Sequence, residues 1–305
     1  MEKHRKKLIK NAAVFDGHGS GLAQGKKIVI EDDIVTEITA DEVSEENFDE
    51  VFDGTGMVAM PGMTDAHVHM GCLFAKGEFP VDYATVLTVA KCKDALMAGF
   101  TTFRDAGSVS EGLKLAFDEG VLPGPRIYPC GAYISQTCGH GDSEYAHTYR
   151  DIQYRHPSST VLADGVPEII RAVREQFYRG ASHIKLMATE ILNRHEDIRL
   201  LFGTDMMITG PDYQVEQSED IRYYEKRFGT MRALRALTGT ANEVFALTTY
   251  QNPYPKGKIG VLEAGSYADL LLVDGDPTKS VSVLADTDHL RLIMKGGTVY
   301  KNTLC

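Results

Sequence analysis

The segment Pro61-Gly62-Met63-Thr64-Asp65-Ala66-His67-Val68-His69-Met70 holds the residue types and spacing best suited to chemistry. Side chains alternate along an extended strand, so His67 and His69 share a face with Asp65, the imidazoles about 7 Å apart at roughly 3.3 Å rise per residue. Two imidazoles so placed can converge on one cation. Their nitrogens suit Zn²⁺ and similar borderline metals, and a catalytic site adds one or two ligands while leaving a position for water. Taken alone, the His-x-His pattern is equally well read as two ordinary histidines on a strand.

Three further residues are candidates. Lys185 lies in the apolar run Ile184-Lys185-Leu186-Met187, where a lysine has little packing reason to sit, an end-of-strand salt bridge being the plain alternative. Asp205 follows Phe202-Gly203-Thr204 and is either a functional carboxylate or a loop cap. His140 stands between Gly139 and Gly141, which let backbone approach a ligand closely; a surface-loop histidine fits equally. The other histidines have bland readings. His4 is in the terminal arm, His18 in a turn, His147, His156 and His289 in polar loops, and His195 ends a helix, while His183 packs one layer below Lys185 or supports a ligand. Ser135 and Ser182 lack a nucleophile-elbow context, and Gly17-His18-Gly19-Ser20-Gly21 is not followed by a helix, which argues against a phosphate loop.

The elements that must position these groups fall into three zones. Residues 8–60 predict short strands at Leu8–Val14, Lys27–Glu31, Ile34–Thr39 and Val51–Met60, with the acidic stretch Asp41–Glu50 as a solvated loop. From residue 61 the rhythm becomes strand, loop, helix: extended Met60–His69, helix Tyr83–Ala98, strand Phe100–Ala106, helix Val109–Glu119 and strand Arg126–Ser135. After a long loop, Gln136–Gly165, come helix Val166–Arg179, strand Ser182–Ala188, candidate strand Ile198–Asp205 and a predominantly helical Asp220–Leu247. This alternation predicts a parallel sheet with helical crossovers. The tail returns to strands at Ile259–Leu262, Ala268–Val273, Leu290–Met294 and Thr298–Lys301.

Composition sets the outer limits. The 305 residues are 43% apolar and 25% charged, the balance of a globular protein with a sizeable core. No run reaches the roughly 18 apolar residues of a membrane span, and the basic start leads into no signal-peptide core, so a cytoplasmic protein without a membrane partner is expected. A net charge of −11 disfavours nucleic acid and favours a small-molecule substrate. Cys72, Cys92, Cys130, Cys138 and Cys305 are odd in number and widely spaced, which predicts reduced thiols.

Val51-Phe52-Asp53-Gly54, Met57–Met60 and the following Pro-Gly-x-x-Asp-x-His-x-His resemble the first barrel strand of the amidohydrolase superfamily. Ala98–Gly107, Gly124-Pro125-Arg126, Ser135–Asp142, Ile184–Ala188, Phe202–Asp205 and Gly265–Val273 resemble its prolidase-like and imidazolonepropionase-like branch, in the same order. The resemblance implies an α/β fold, a (β/α)₈ barrel over residues 61–248, with a small β-sandwich from residues 1–60 and 249–305. It implies His67 and His69 as first-strand metal ligands, Lys185 as a carbamylated ligand made with CO₂, Asp205 as the eighth-strand carboxylate that ligates metal and carries the proton, and His140 as the substrate-side histidine. One or two Zn²⁺ ions would activate water against the C–N bond of a dipeptide or N-acyl amino acid, or, alternatively, of a cyclic amide.

The chain departs from that pattern in one respect. Nineteen residues separate Lys185 from Asp205, too few for three units of roughly 31 residues, so the fifth to seventh units and their two histidine ligands are not found and a block is lacking near residue 190. Three readings follow: an active parent enzyme from which this block is missing, a deletion product serving as a non-catalytic binding or assembly protein, and a single-metal enzyme with a rearranged barrel, which a homo-oligomer could complete.

Overall fold

The computed structural model describes residues 5–70, 81–107, 109, 111–137, 139, 141–142, 160–186, 199–207 and 213–304. The first seven strands are β1 (Lys6–Lys10), β2 (Ala13–Val14), β3 (Lys27–Glu31), β4 (Ile34–Thr39), β5 (Glu50–Asp53), β6 (Val58–Pro61) and β7 (Met63–His69). There follow α1 (Val81–Met97), β8 (Phe100–Asp105), α2 (Glu111–Asp118), β9 (Arg126–Tyr128), β10 (Tyr133–Ser135), β11 (Thr160–Leu162) and α3 (Val166–Tyr178). The remainder is β12 (Met206–Met207), α4 (Tyr213–Phe228), α5 (Thr230–Leu237), α6 (Gly239–Phe245), β13 (Leu270–Val273), β14 (Leu290–Lys295) and β15 (Thr298–Asn302).

Both chain ends build one two-sheet layer. A sheet ordered β4-β3-β1-β5 faces a sheet ordered β15-β14-β13-β6-β2 across a core that includes Ile9, Ile28, Ile30, Phe52, Leu270, Leu272, Leu292 and Met294. Leu271, Val273 and Ile293 alternate with these and enter a second core with Met63, Leu96, Phe100, Phe103 and Phe202. Burial on both faces is why Leu270-Leu271-Leu272-Val273 is apolar throughout rather than alternating. The second core supports a parallel sheet, β12-β7-β8-β9, with β7 in the interior of the order.

Several expected elements are shorter or broken. The Leu8–Val14 strand splits into β1 and β2 at Asn11, whose φ of 62° is left-handed. Arg126–Ser135 splits at Gly131, with φ of 69°, so that β10 pairs with β11, a strand inside the expected Gln136–Gly165 loop. Within the described part of Ser182–Ala188, only Leu186 bridges, to Ile134, whose amide donates to Lys185 O at 2.9 Å. Residues 199–205 form no regular strand: the Phe202 amide donates to Ala236 O in α5, the contacts with β7 are single bonds from the Ala66 amide to Phe202 O and from the Asp205 amide to His67 O, and regular pairing begins at Met206. Ile259–Leu262 is likewise irregular, because Gly260 has φ of 78° and the Leu262 amide turns to Asp16 O. The long helical tract is three helices, separated at Gly229 and Thr238.

The two-sheet layer is joined to the parallel sheet by charge as well as apolar packing. Arg126, largely covered, donates to the buried Asp269 twice, Nε at 2.8 Å and Nη2 at 3.2 Å. Nearby, buried Lys295 donates to Gly124 O at 2.6 Å. Among the described residues, Cys92 and Cys130 are buried free thiols, and no helix is long and apolar enough to cross a membrane.

Candidate metal centre

Strand β7 carries the site because alternation sends Asp65, His67 and His69 to one side while its two neighbours bring loop residues to its C-terminal end. Met70, just past the strand, is held by Asp105 at the end of β8: its amide donates to Asp105 Oδ1 at 3.1 Å, while Gly107 and Val109 amides donate to Oδ2. Burial pushes the Asp105 carboxyl up to about 7 against these three amides.

On the other side of β7 the segment before β12 delivers Asp205. Its amide donates to His67 O at 2.7 Å, and its backbone is left-handed, with φ of 56°. Asp205 therefore precedes its strand instead of ending one. Gly203 makes the approach possible: a Cβ there would stand 2.7 Å from His67 Cβ.

The functional atoms converge. His67 Nε2 is 2.9 Å and His69 Nε2 is 3.2 Å from Asp205 Oδ1, and the ligand atoms of all three residues lie within 4.8 Å of one another. The two imidazole centroids are 5.4 Å apart. Lys185 Nζ reaches His67 Nε2 at 2.9 Å. One imidazole nitrogen thus faces a carboxylate oxygen and an amine, and its single proton or single lone pair cannot serve both. Burial, then the Lys185 ammonium, holds the His67 imidazole down to about 4, so at neutral pH it is the uncharged ring that ligates metals. Two imidazole nitrogens and a carboxylate oxygen form a donor set suited to zinc.

The structure brings together four of the five expected residues, His67, His69, Lys185 and Asp205. His140 lies outside the described residues, as does the region around residue 190. His183 does not join the ligand cluster; its Nδ1 is 3.0 Å from Ser182 Oγ, and burial, then Arg104, pushes its imidazole down to about 3. Asp65, given only a place on the face by the sequence, lies at the centre of a hydrogen-bond network. Its Oδ1 accepts from the amides of His67 and Thr204, both at 3.2 Å, and its Oδ2 from Thr204 Oγ1 at 2.9 Å and Gln217 Nε2 at 3.2 Å. The period of two pointed at Asp65, whereas Gln217, on α4, had no signal in the sequence.

Residues 58–198, which include both histidines and Lys185, match the amidohydrolase family. That match takes in 141 of the 305 residues, a little under half of the chain. It is 34% identical to the ochratoxinase of Aspergillus niger over 152 residues, covering 43% of this chain and 31% of that protein. It is 40% identical to the imidazolonepropionase of Picrophilus torridus over 176 residues, covering 53% of this chain and 43% of that one. The chain thus spans less than half the length of these relatives. In fold, it superposes on the crystal structure of an amidohydrolase with a TM-score of 0.84 at 23% identity, over 98% of this chain and 100% of the other. A prolidase complexed with N-methylphosphonate-L-proline gives 0.83 at 22% identity, over 97% and 100%. The chain therefore shares the mixed α/β fold of these structures.

Proposed function

We propose that this protein is a metal-dependent hydrolase of an amide or peptide C–N bond in a small substrate, a dipeptide or an N-acyl amino acid. The observation that carries the reading is the convergence of His67 Nε2, His69 Nε2 and Asp205 Oδ1 beside the Lys185 amine. A bound zinc ion would supply Lewis acidity, polarising a carbonyl and making water nucleophilic near neutral pH. His67 and His69 would hold the ion through their Nε2 atoms. Asp205, its side chain 71% exposed, has a free path to solvent and substrate, and it takes the proton of the attacking water and returns it to the leaving amine. Lys185, once deprotonated, adds CO₂ through Nζ with loss of a proton, which converts a repelling cation into an anionic oxygen ligand. His140 polarises the scissile carbonyl or binds a substrate carboxylate. The two-sheet layer acts as the flanking β-sandwich of an incomplete barrel.

Zinc analysis of the purified protein beside hydrolysis assays on dipeptides and N-acyl amino acids tests this. Stoichiometric zinc and turnover are expected, with kcat falling at least about 100-fold in Lys185→Ala and Asp205→Asn. Full activity in Lys185→Ala would remove the carbamate role. A second reading, hydrolysis of a cyclic amide, is favoured by the 40% identity to an imidazolonepropionase, and turnover of an imidazolone with none of the linear amides would select it.

A further inference from the structure

We infer that Asp65 is a positioning residue, whose buried carboxylate sets Asp205 against the two imidazoles through Thr204. The inference rests on the metal-site reading for its purpose, and on geometry for its content.

Asp65 has no solvent exposure, and a carboxylate is a costly group to place in a core. At least four hydrogen bonds reach it from described residues in three parts of the chain: the His67 amide in β7, the Thr204 amide and hydroxyl in the segment before β12, and the Gln217 amide group in α4. A side chain that only filled space there would need no such set. Thr204 donates two of the four and is the immediate neighbour of Asp205.

Asp205 needs the support. Its side chain is 71% exposed, so packing does not hold the carboxylate in place. Its backbone sits at φ of 56°, the left-handed region, which is uncommon outside glycine although aspartate tolerates it better than most residues. What surrounds it is a bracket: Thr204 is tied to Asp65 on one side, and the Asp205 amide is tied to His67 O at 2.7 Å. Asp65 also accepts the His67 amide, so one carboxylate references both the imidazole-bearing strand and the segment that delivers the partner carboxylate. Gln217 fixes the second oxygen from behind and is itself 1% exposed.

The test uses the metal-free full chain. Imidazole nitrogen resonances of His67 and His69 report the hydrogen bonds to Asp205, and Asp205→Asn supplies the reference shift. Thr204→Val, which keeps shape and removes the hydroxyl, is expected to move both rings in the same direction by at least half that reference, as is Asp65→Asn. Thr204→Ser, which keeps the hydroxyl, is expected to stay at the wild-type position. Zinc affinity, measured by chelator competition, is expected to weaken about 10- to 100-fold in the first two variants and not in the third. Unmoved imidazole signals in Thr204→Val, with only a lower melting temperature, would overturn the proposal and leave Asp65 a packing role. So would an Asp205→Asn variant that moves neither ring. A wild-type chain that binds no zinc would defeat the metal-site reading alone, since the imidazole comparison needs no metal. Should Asp65→Asn fail to fold, the two Thr204 variants decide the matter.

Discussion

Gly203 shows how one hydrogen can govern the site. A Cβ at this position would fall 2.7 Å from His67 Cβ and 3.1 Å from the His67 amide nitrogen, so an alanine must displace either the histidine or the loop that carries Asp205. Neither neighbour is the far end of a flexible chain, so the strain is borne by backbone. Gly203→Ala is expected to cost about 1–3 kcal/mol of stability and to weaken zinc binding at least about 10-fold, as read by urea unfolding and chelator competition. The candidate ligands at this scale were legible because their chemistry is local: alternation alone puts Asp65, His67 and His69 on one face. The part played by Asp65 was not, because its partners Thr204 and Gln217 lie 139 and 152 residues away in the chain.

Among the elements, α4 depends on Glu225 for its attachment to the C-terminal region. The Glu225 carboxylate accepts from Thr230 Oγ1, Ser280 Oγ, Ser282 Oγ and the Val281 amide, which joins the α4–α5 junction to the short 3-10 helix Val281–Ala285. Glu225→Ala removes the shared acceptor of all four donors. A loss of about 1.5–3 kcal/mol is expected in chemical denaturation, with Glu225→Gln losing less because it keeps one oxygen. The sequence marked Asp220–Leu247 as predominantly helical, and helices do occupy most of it. Its division into three helices follows from Gly229, with φ of 81°, and Thr238, with φ of −133°, where the chain turns so that Ala233, Leu234, Ala236 and Leu237 can all be buried. Strand β7 was plain from its pattern, whereas the irregular course of residues 199–205 was hidden, because it arises from the Phe202 amide bonding to Ala236 in a helix well beyond it in the chain.

At the scale of the whole molecule, the junction between the two-sheet layer and the parallel sheet holds charges that burial has moved away from their ordinary values. Burial, then the Arg126 guanidinium, lowers the Lys295 amine from 10.5 to about 8, although Asp269 acts in the opposite sense. An amine whose folded pKa lies below its unfolded one costs stability while it is charged, and that cost is relieved as pH rises from about 8 toward 10.5. Wild-type protein is therefore expected to gain about 1–2 kcal/mol over Lys295→Met between about pH 7.5 and about pH 9.5, as followed by urea unfolding at each pH. Equal slopes in the two proteins would show that Lys295 is not buried as a titrating group.

By itself the sequence determined which residue types could meet a metal, the β-rich character of both ends and the α/β rhythm between them, since each is written in spacing of two or about four residues. Only the tertiary structure decided that Asp205 meets His67 and His69 from a left-handed turn ahead of its strand, that Lys185 stands beside His67, and that Asp65 ties these parts together. Those outcomes depend on backbone amides and carboxylates more than a hundred residues apart choosing one another as the cores close, and no local pattern encodes that choice.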